Sequence, residues 1–305
     1  MDKLTAMKTF VRVAESGSFS NVARELGTTQ SAVSKQVAGL ENALGARLLS
    51  RTTRALALTD AGQRYFEQAR RLVAEVDEAE SLLRNSEQQL SGWLRVAASV
   101  GYGRRVLMPL VQRFLSQHPG VRIDLNLNDG FIDLVKQGID VAVRVGELAD
   151  SSLLARRIGT AHRALMAHRS YLHGFARNKP LREPADLAAH NCIVYTELGT
   201  RNNWTFTAGS GATASVGTQV SLRVQGNLQT NSSEVIRAAV LEGMGICYSP
   251  DWLFAPELAS GEVEVLLAGW PMQPLPVHLV SPPARRHAAK VQAFGAHIAK
   301  NLTSV

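Results

Sequence analysis

The sequence predicts an α/β chain headed by a small all-helical unit, with one long helix joining the two parts. Three observations carry this. Between Gly17 and Glu41, in GSFSNVARELGTTQSAVSKQVAGLE, apolar residues recur at helical spacing on both sides of a Gly-Thr-Thr break. From Tyr65 to Leu83 they alternate spacings of four and three. From Ser91 onward, two-residue alternation and helical periodicity follow one another along the chain.

The first helix is amphipathic, with Leu4, Met7, Phe10, Val11 and Ala14 on one stripe. In the second, Val22, Ala23 and Leu26 share a face, and Gly27 supplies the left-handed conformation that ends a helix. Thr28 or Thr29 can cap the third, where Val33, Val37, Leu40 and Leu44 face inward and Ser31, Ser34, Lys35 and Ala38 face out. That outward face carries short side chains and one long cation, where an ordinary surface hairpin would show paired acids and bases. Such a face can seat in a DNA major groove, with Thr29, Gln30, Ser31, Ser34 and Lys35 near base edges and phosphates. The segment RLLSRTTRALAL, from Arg47 to Leu58, predicts two short strands and a turn, a wing beside the helices. Arg51, Thr53 and Arg54 stand at its tip, where they can clamp phosphates or enter a minor groove; the alternative is a solvated turn.

Thr59 caps a long helix running to about Gln89, about 45 Å at 1.5 Å per residue. Tyr65, Ala69, Leu72, Val76, Ala79 and Leu83 form a heptad seam, which needs a partner. A second copy of the helix fits best, so the chain is expected to be a homodimer presenting two heads to a pseudo-palindromic duplex site.

Composition agrees. The chain has 305 residues, enough for two or three domains, with 45% hydrophobic and 19% charged residues and a net charge of +7. The positive excess gathers at the head, where Lys3, Lys8, Arg12, Arg24, Lys35, Arg47, Arg51 and Arg54 face only Asp2, Glu15, Glu25 and Glu41. Two cysteines, Cys192 and Cys247, are too few for a disulfide scaffold and fit a reducing compartment. MDKLTAMKTF has no apolar core run, and no stretch approaches a membrane span, so the expected location is the cytoplasm, with no membrane partner.

The order of helix, helix-turn-helix in TTQSAVSKQVAGLENALGARLL, wing in SRTTRALALTDAG and long helix resembles the LysR-type transcriptional regulators of bacteria. The pattern from Leu4 to Gly62 is dense, and later segments fit the family's effector-binding half. One departure is Leu49, where an aromatic residue is usual. The resemblance implies a winged helix-turn-helix over 1–58, a dimerising linker helix over 59–90 and an effector domain over 91–305. It also implies dimers or tetramers, and leaves RNA polymerase open as a further partner.

In the second half, Leu94, Val96 and Ala98 alternate with Trp93, Arg95 and Ala97 in a strand that runs into a helix ending near Gln117. Val121, Ile123, Leu125 and Leu127 form the next strand, Asp133 to Gln137 a helix, and Asp140 to Val145 a third strand. This order predicts mostly parallel sheets. Further strands fall at Ala164–Ala167, Cys192–Tyr195, Val220–Val224 and Gly245–Tyr248, with a helix from Ser232 to Glu242. Val277–Val280 can return to the first sheet, and Ala289–Leu302 closes with Val291, Phe294 and Ile298 inward. The resemblance implies a double crossing, hence a two-lobed, periplasmic-binding-protein-like clamp: lobe I at about 91–163 and 267–305, lobe II at about 164–266.

Ligands in open parallel sheets bind beyond the carboxyl ends of strands. Ser99, Val100, Gly101, Tyr102 and Gly103 follow the first strand and open a helix; Asn231 and Ser232 open another. If both ends face one cleft they favour a small anion such as a carboxylate, and the alternative is plain capping. The resemblance adds Asn128, Tyr195 and Thr196 as cleft residues, and Arg144, which can instead pair with Asp140 or a surface acid.

No cofactor, metal or catalytic set is expected. Gly101-Tyr102-Gly103 lacks the third glycine of a dinucleotide fingerprint, with Val106 in its place, and no GxxxxGK[ST] or HExxH occurs. His162, His168, His173 and His190 lack metal-ligand spacing. A transport-type solute-binding protein would explain the two-lobed half but leaves residues 1–90 without a role. Cys192 and Cys247 lie in strands, where thiols act as small hydrophobes.

Overall fold

In a computed structural model, residues 2–51, 56–83, 90–148, 151–197, 200–286 and 288–302 are described, with the backbone alone at 51, 74–75 and 77–83. The chain divides into two compact units, Met1–Gln88 and Gln89–Val305.

In the first unit, α1 (Lys3–Ser16) starts on Asp2, whose side chain accepts from the Leu4 amide, and buries Ala6, Phe10, Val11 and Val13. Helix α2 (Phe19–Glu25) is capped by Ser18 and buries Val22 and Ala23. Gly27, at φ 61°, turns the chain so that the Thr28 amide bonds back to the Ala23 carbonyl at 2.9 Å. Leu26, expected inward, is 48% exposed, because the helix has already ended when the chain reaches it. Helix α3 (Gln30–Leu44) is capped by Thr29, which accepts from the Ala32 amide at 3.2 Å, and buries Val33, Val37 and Leu40.

The wing is an antiparallel pair, β1 (Leu49–Arg51) with β2 (Leu56–Leu58), in register Leu49↔Leu58. Thr59 Oγ1 then accepts from the Gly62 amide at 2.9 Å and starts α4 (Asp60–Leu83). The expected end of that helix, 84–89, lies outside the described residues, as do the side chains of Ala79 and Leu83. The seam needs a correction at its start. Ala69 is fully buried and the Tyr65 ring lies 5.7 Å from Phe10, so these two positions pack within this chain's own unit. Leu72 is 50% exposed.

The second unit holds two five-stranded sheets. One has the order β4-β3-β5-β14-β6, built from β3 (Ser91–Ala98), β4 (Gly120–Leu127), β5 (Val141–Val145), β6 (Leu154–Ala161) and β14 (Leu275–Ser281). The other has the order β11-β8-β12-β7-β13, from β7 (Arg163–His168), β8 (Cys192–Tyr195), β11 (Gln229–Thr230), β12 (Ile246–Pro250) and β13 (Val263–Leu266). Strands β9 (Asn203–Thr207) and β10 (Gln219–Arg223) form a separate hairpin. The chain crosses between sheets at His162 and again between Leu266 and Leu275. Each sheet is mixed rather than mostly parallel: β3, β4 and β5 run parallel, but β14 pairs antiparallel with both β5 and β6. In the second sheet β11, β8 and β12 are parallel while β7 opposes both β12 and β13. A strand that arrives from the other sheet comes without a local crossover helix, and nothing then imposes the parallel direction.

Between β3 and β4 the chain forms α5 (Val100–Tyr102), a π-helical turn at Gly103–Leu107 and α6 (Met108–Gln117). The short helix α7 (Arg169–His173) follows β7, α8 (Ser233–Leu241) follows β11, α9 (Ala255–Ser260) precedes β13, and α10 (Ala289–Asn301) closes with Val291, Phe294 and Ile298 buried. Two local expectations change. From Leu94 to Ala98 strand β3 is buried on both faces, because Leu94 and Val96 meet one core while Ala97 meets a second, made with Ile132, Ile139, Ala142 and Val280. Asp133 to Gln137 is a hydrogen-bonded turn, not a helix: Asp133 caps it by accepting from the Val135 and Lys136 amides, each at 3.0 Å, and Gly138 at φ 63° ends it.

Candidate nucleic-acid interface and effector cleft

Helix α3 is held from behind and open in front. Behind, Thr9 Oγ1 of α1 donates to Gln36 Oε1 at 2.7 Å. Glu41 sits on the buried stripe, one turn after Val37, and its Oε1 accepts from the Leu48 and Leu49 amides at 2.8 and 3.0 Å. This carboxylate fixes the wing against the helix. Sequence reading counted Glu41 among the head's acids and missed the role, although its four-residue step from Val37 marks an inward position. In front, Gln30, Ser31, Lys35 and Ala38 are exposed and Ser34 is half-buried. Thr29 spends its hydroxyl on the cap and on Ser31 Oγ, 3.0 Å away. Arg51 lies in β1 with its side chain outside the described residues, and Thr53 and Arg54 lie outside them altogether.

In the second unit a cavity of about 310 Å3 opens between the two sheets. Ser99, Arg144 and Tyr195 line it, as do Asp129, Glu147, Glu197, Ser233 and Trp252. The starts of α5 and α8 converge as expected, but on a group belonging to the chain itself. Asp129 Oδ1 accepts from the Val100 amide at 2.8 Å, and Oδ2 accepts from the Ser233 amide at 2.9 Å and from Ser233 Oγ at 3.1 Å. Ser232 caps α8 by accepting from the Val235 amide, and Ser233, one residue on, reaches the cavity.

The other expected residues play structural parts. Tyr102 is 1% exposed and packs edge-on against Trp252, with ring centroids 5.4 Å apart. A Cβ on Gly101 would meet Ser233 Oγ at 2.8 Å, and one on Gly103 would meet the Leu127 side chain at 2.2 Å, so these glycines admit packing neighbours. Asn128 Oδ1 accepts from the Gly130 amide at 2.7 Å, the Thr196 amide bonds to the Thr230 carbonyl, and Asn231 is exposed.

Arg144 does not pair with Asp140. That carboxylate is buried, accepts from the Arg95 amide at 2.8 Å and pairs with Arg285 at 3.4 Å. Arg144 Nη1 instead donates to the Gly130 carbonyl at 3.3 Å, and its guanidinium lies over the Phe131 ring, 5.7 Å from the centroid. Its Nη2 is buried with no hydrogen-bond partner among the described residues. Burial holds the Arg144 guanidinium below its ordinary value. Burial also pushes the Tyr195 phenol up, with Asp129 and Glu197 adding to the effect, so it faces the cavity as a neutral hydroxyl. Asp129, Glu147 and Glu197 were not anticipated, although all three follow strand ends, where the rule that directs ligands to carboxyl edges points. Among the described residues no group of His, Cys, Asp or Glu comes together that could hold a metal ion, and no helix is long and apolar enough to cross a membrane.

A helical reading head with a wing, followed by a two-sheet unit around a ligand-sized cavity, defines a one-component regulator: one chain that carries both a DNA-reading surface and a sensor. Residues 4–63 match the bacterial regulatory helix-turn-helix proteins of the lysR family, and residues 87–303 match the LysR substrate binding domain. The chain belongs to the LysR family and is a DNA-binding transcriptional regulator, not an enzyme. It is 33% identical over 294 residues to a transcriptional repressor of Pseudomonas aeruginosa, covering 96% of this chain and 90% of that one. It is also 33% identical over 294 residues to the transcriptional activator AaeR of Escherichia coli, covering 96% and 91%. Among solved structures, CrgA, a LysR-type transcriptional regulator from Neisseria meningitidis, aligns over 97% of each chain at 31% identity with a TM-score of 0.60.

Proposed function

We propose that this chain acts in the cytoplasm as a homodimer or homotetramer that reads a pseudo-palindromic operator through α3 and the wing, with RNA polymerase as a partner at the promoter. The parts divide as 1–58 for reading, 59–90 for dimerisation and 91–305 for sensing. The observation that carries the reading is the outward face of α3: Ser31, Lys35 and Ala38 are exposed while Val33, Val37 and Leu40 anchor the opposite side. Small side chains let the helix backbone approach base edges, and the lysine reaches a guanine or a phosphate. Ser99, Arg144 and Tyr195, with Asp129 and Ser233, form the effector site. An effector that binds one lobe arrangement better than the other shifts the balance between them, and dimer contacts carry the shift to the DNA.

Gel-shift with the chain's own upstream DNA over a salt series tests this. Affinity falls steeply with salt and distinguishes operator from random duplex. Lys35→Glu weakens operator binding by at least tenfold, in line with about 1–3 kcal/mol for one base or phosphate contact. Unchanged affinity in that variant sinks the assignment. Leu72 supplies the exposed part of the dimer seam, so sedimentation of Leu72→Glu at micromolar concentration shifts toward monomer; a wild-type chain that is already monomeric rules the dimer out.

A further inference from the structure

This inference rests on the effector-controlled reading and concerns which chemical class the cleft accepts. The two helix starts that would attract a ligand's carboxylate are taken, since the Asp129 oxygens already accept from the Val100 and Ser233 amides and from Ser233 Oγ. A ligand anion placed there would lie beside a fixed negative charge.

Of the residues lining the cavity, one is a cation, Arg144. Its Nη1 is used by the Gly130 carbonyl, and its buried Nη2 has no hydrogen-bond partner among the described residues. A desolvated guanidinium N–H regains most when it meets a carboxylate, through a charge-assisted hydrogen bond. Against this one cation stand three lining carboxylates, Asp129, Glu147 and Glu197. Much of the remaining wall is apolar, including Ile132, Leu134, Val143, Leu153, Leu253 and Val280. The volume of about 310 Å3 is about twice the roughly 150 Å3 that holds one benzene ring.

We propose that the cleft takes a monocarboxylate with an apolar body of about one ring, its carboxylate on Arg144 and its body against Ile132, Leu134 and Leu253, and that it discriminates against dicarboxylates and phosphate. The first negative charge meets Arg144, the one cation among the described lining residues. A second finds three carboxylates and no further cation among the described lining residues, and discrimination follows from that mismatch.

Isothermal titration of the full-length chain tests this with benzoate, phenylacetate and hexanoate, set against benzamide, succinate, phthalate and inorganic phosphate. The expected result is binding of at least one monocarboxylate, at least tenfold tighter than benzamide or either dicarboxylate. Arg144→Gln weakens that monocarboxylate about ten- to a hundredfold, the span of a hydrogen bond to a charged group, while benzamide binding is unmoved. Should Arg144→Gln fail to melt cooperatively, Arg144→Lys carries the test: it keeps the charge, loses the fork, and retains a preference for that monocarboxylate over benzamide. Binding of succinate, phthalate or phosphate tighter than every monocarboxylate, benzamide bound as tightly as every monocarboxylate, or no monocarboxylate binding at all overturns the proposal. The gel-shift separates this from the broader reading. If a neutral or dianionic probe changes operator affinity, the monocarboxylate inference falls and effector control stands. If the chain shows no operator preference, the regulator reading falls whatever the cleft binds.

Discussion

Glu41 shows how much one side chain can hold in place. Its Oε1 takes the amides of Leu48 and Leu49, two residues that are themselves buried, so its removal leaves two donors without an acceptor. At about 1–3 kcal/mol for a buried group left unsatisfied, Glu41→Ala lowers the thermal midpoint of the N-terminal unit and weakens operator binding, whereas Glu41→Gln, which keeps a carbonyl acceptor, loses much less. Circular dichroism melts of the two variants check this, and equal midpoints overturn it. Caps were legible at this scale because their signal is local: Thr29 and Thr59 start helices, and Gly27 takes a left-handed φ. Asp129 was not, since a carboxylate serving two amides 133 positions apart depends on how the chain returns. The two cysteines lie on neighbouring strands but face different cores, Cys192 with Leu165 and Val194, Cys247 with Met166 and Ile193. Burial pushes each thiol up to about 12, the opposite of a reactive thiolate.

Among the elements, α4 meets the wing at its first turn. A Cβ built on Gly62 would fall 1.9 Å from the Leu48 carbonyl oxygen, a backbone atom that Thr59 also engages. Gly62→Ala therefore forces apart the helix start and the wing, and destabilises the N-terminal unit by about 1–3 kcal/mol or more, as overpacking does. A melt matching the wild type within a degree rules this out. Strong periodicity made α1, α3, β4 and α10 legible. Strand β6, with the sequence LARRIGTA, has no clean alternation and is recruited by β14, a partner 114 or more positions away. The Asp133 turn reads as helix in its apolar spacing, but Gly138 at φ 63° stops it after one turn.

For the whole molecule, pH dependence follows from two imidazoles. Burial holds His190, beside the Tyr171 hydroxyl at 3.2 Å, and His297, beside the Leu110 carbonyl at 3.0 Å, below the ordinary value of 6.5. An unfolded chain binds protons at these sites before the folded chain does, so stability is full above about 6.5 and falls as pH drops below it. The thermal midpoint is accordingly lower at pH 5.5 than at pH 7.5, and the gap narrows when His190 and His297 are both replaced by Gln. A gap that does not narrow removes these groups as the cause.

What the sequence determined by itself was the reading head, the long helix, the alternation of strands and helices and, through dense motifs from Leu4 to Gly62, the family. Those properties rest on contacts a few residues apart, which periodicity and capping residues record directly. Tertiary structure alone decided the strand directions in each sheet, the cover over Tyr65 and Ala69, and the side chains that meet in the cleft. Asp129 and Ser233, or Asp140 and Arg285, become partners because the chain crosses twice between sheets, and no short-range pattern encodes which distant charges a crossing will bring together.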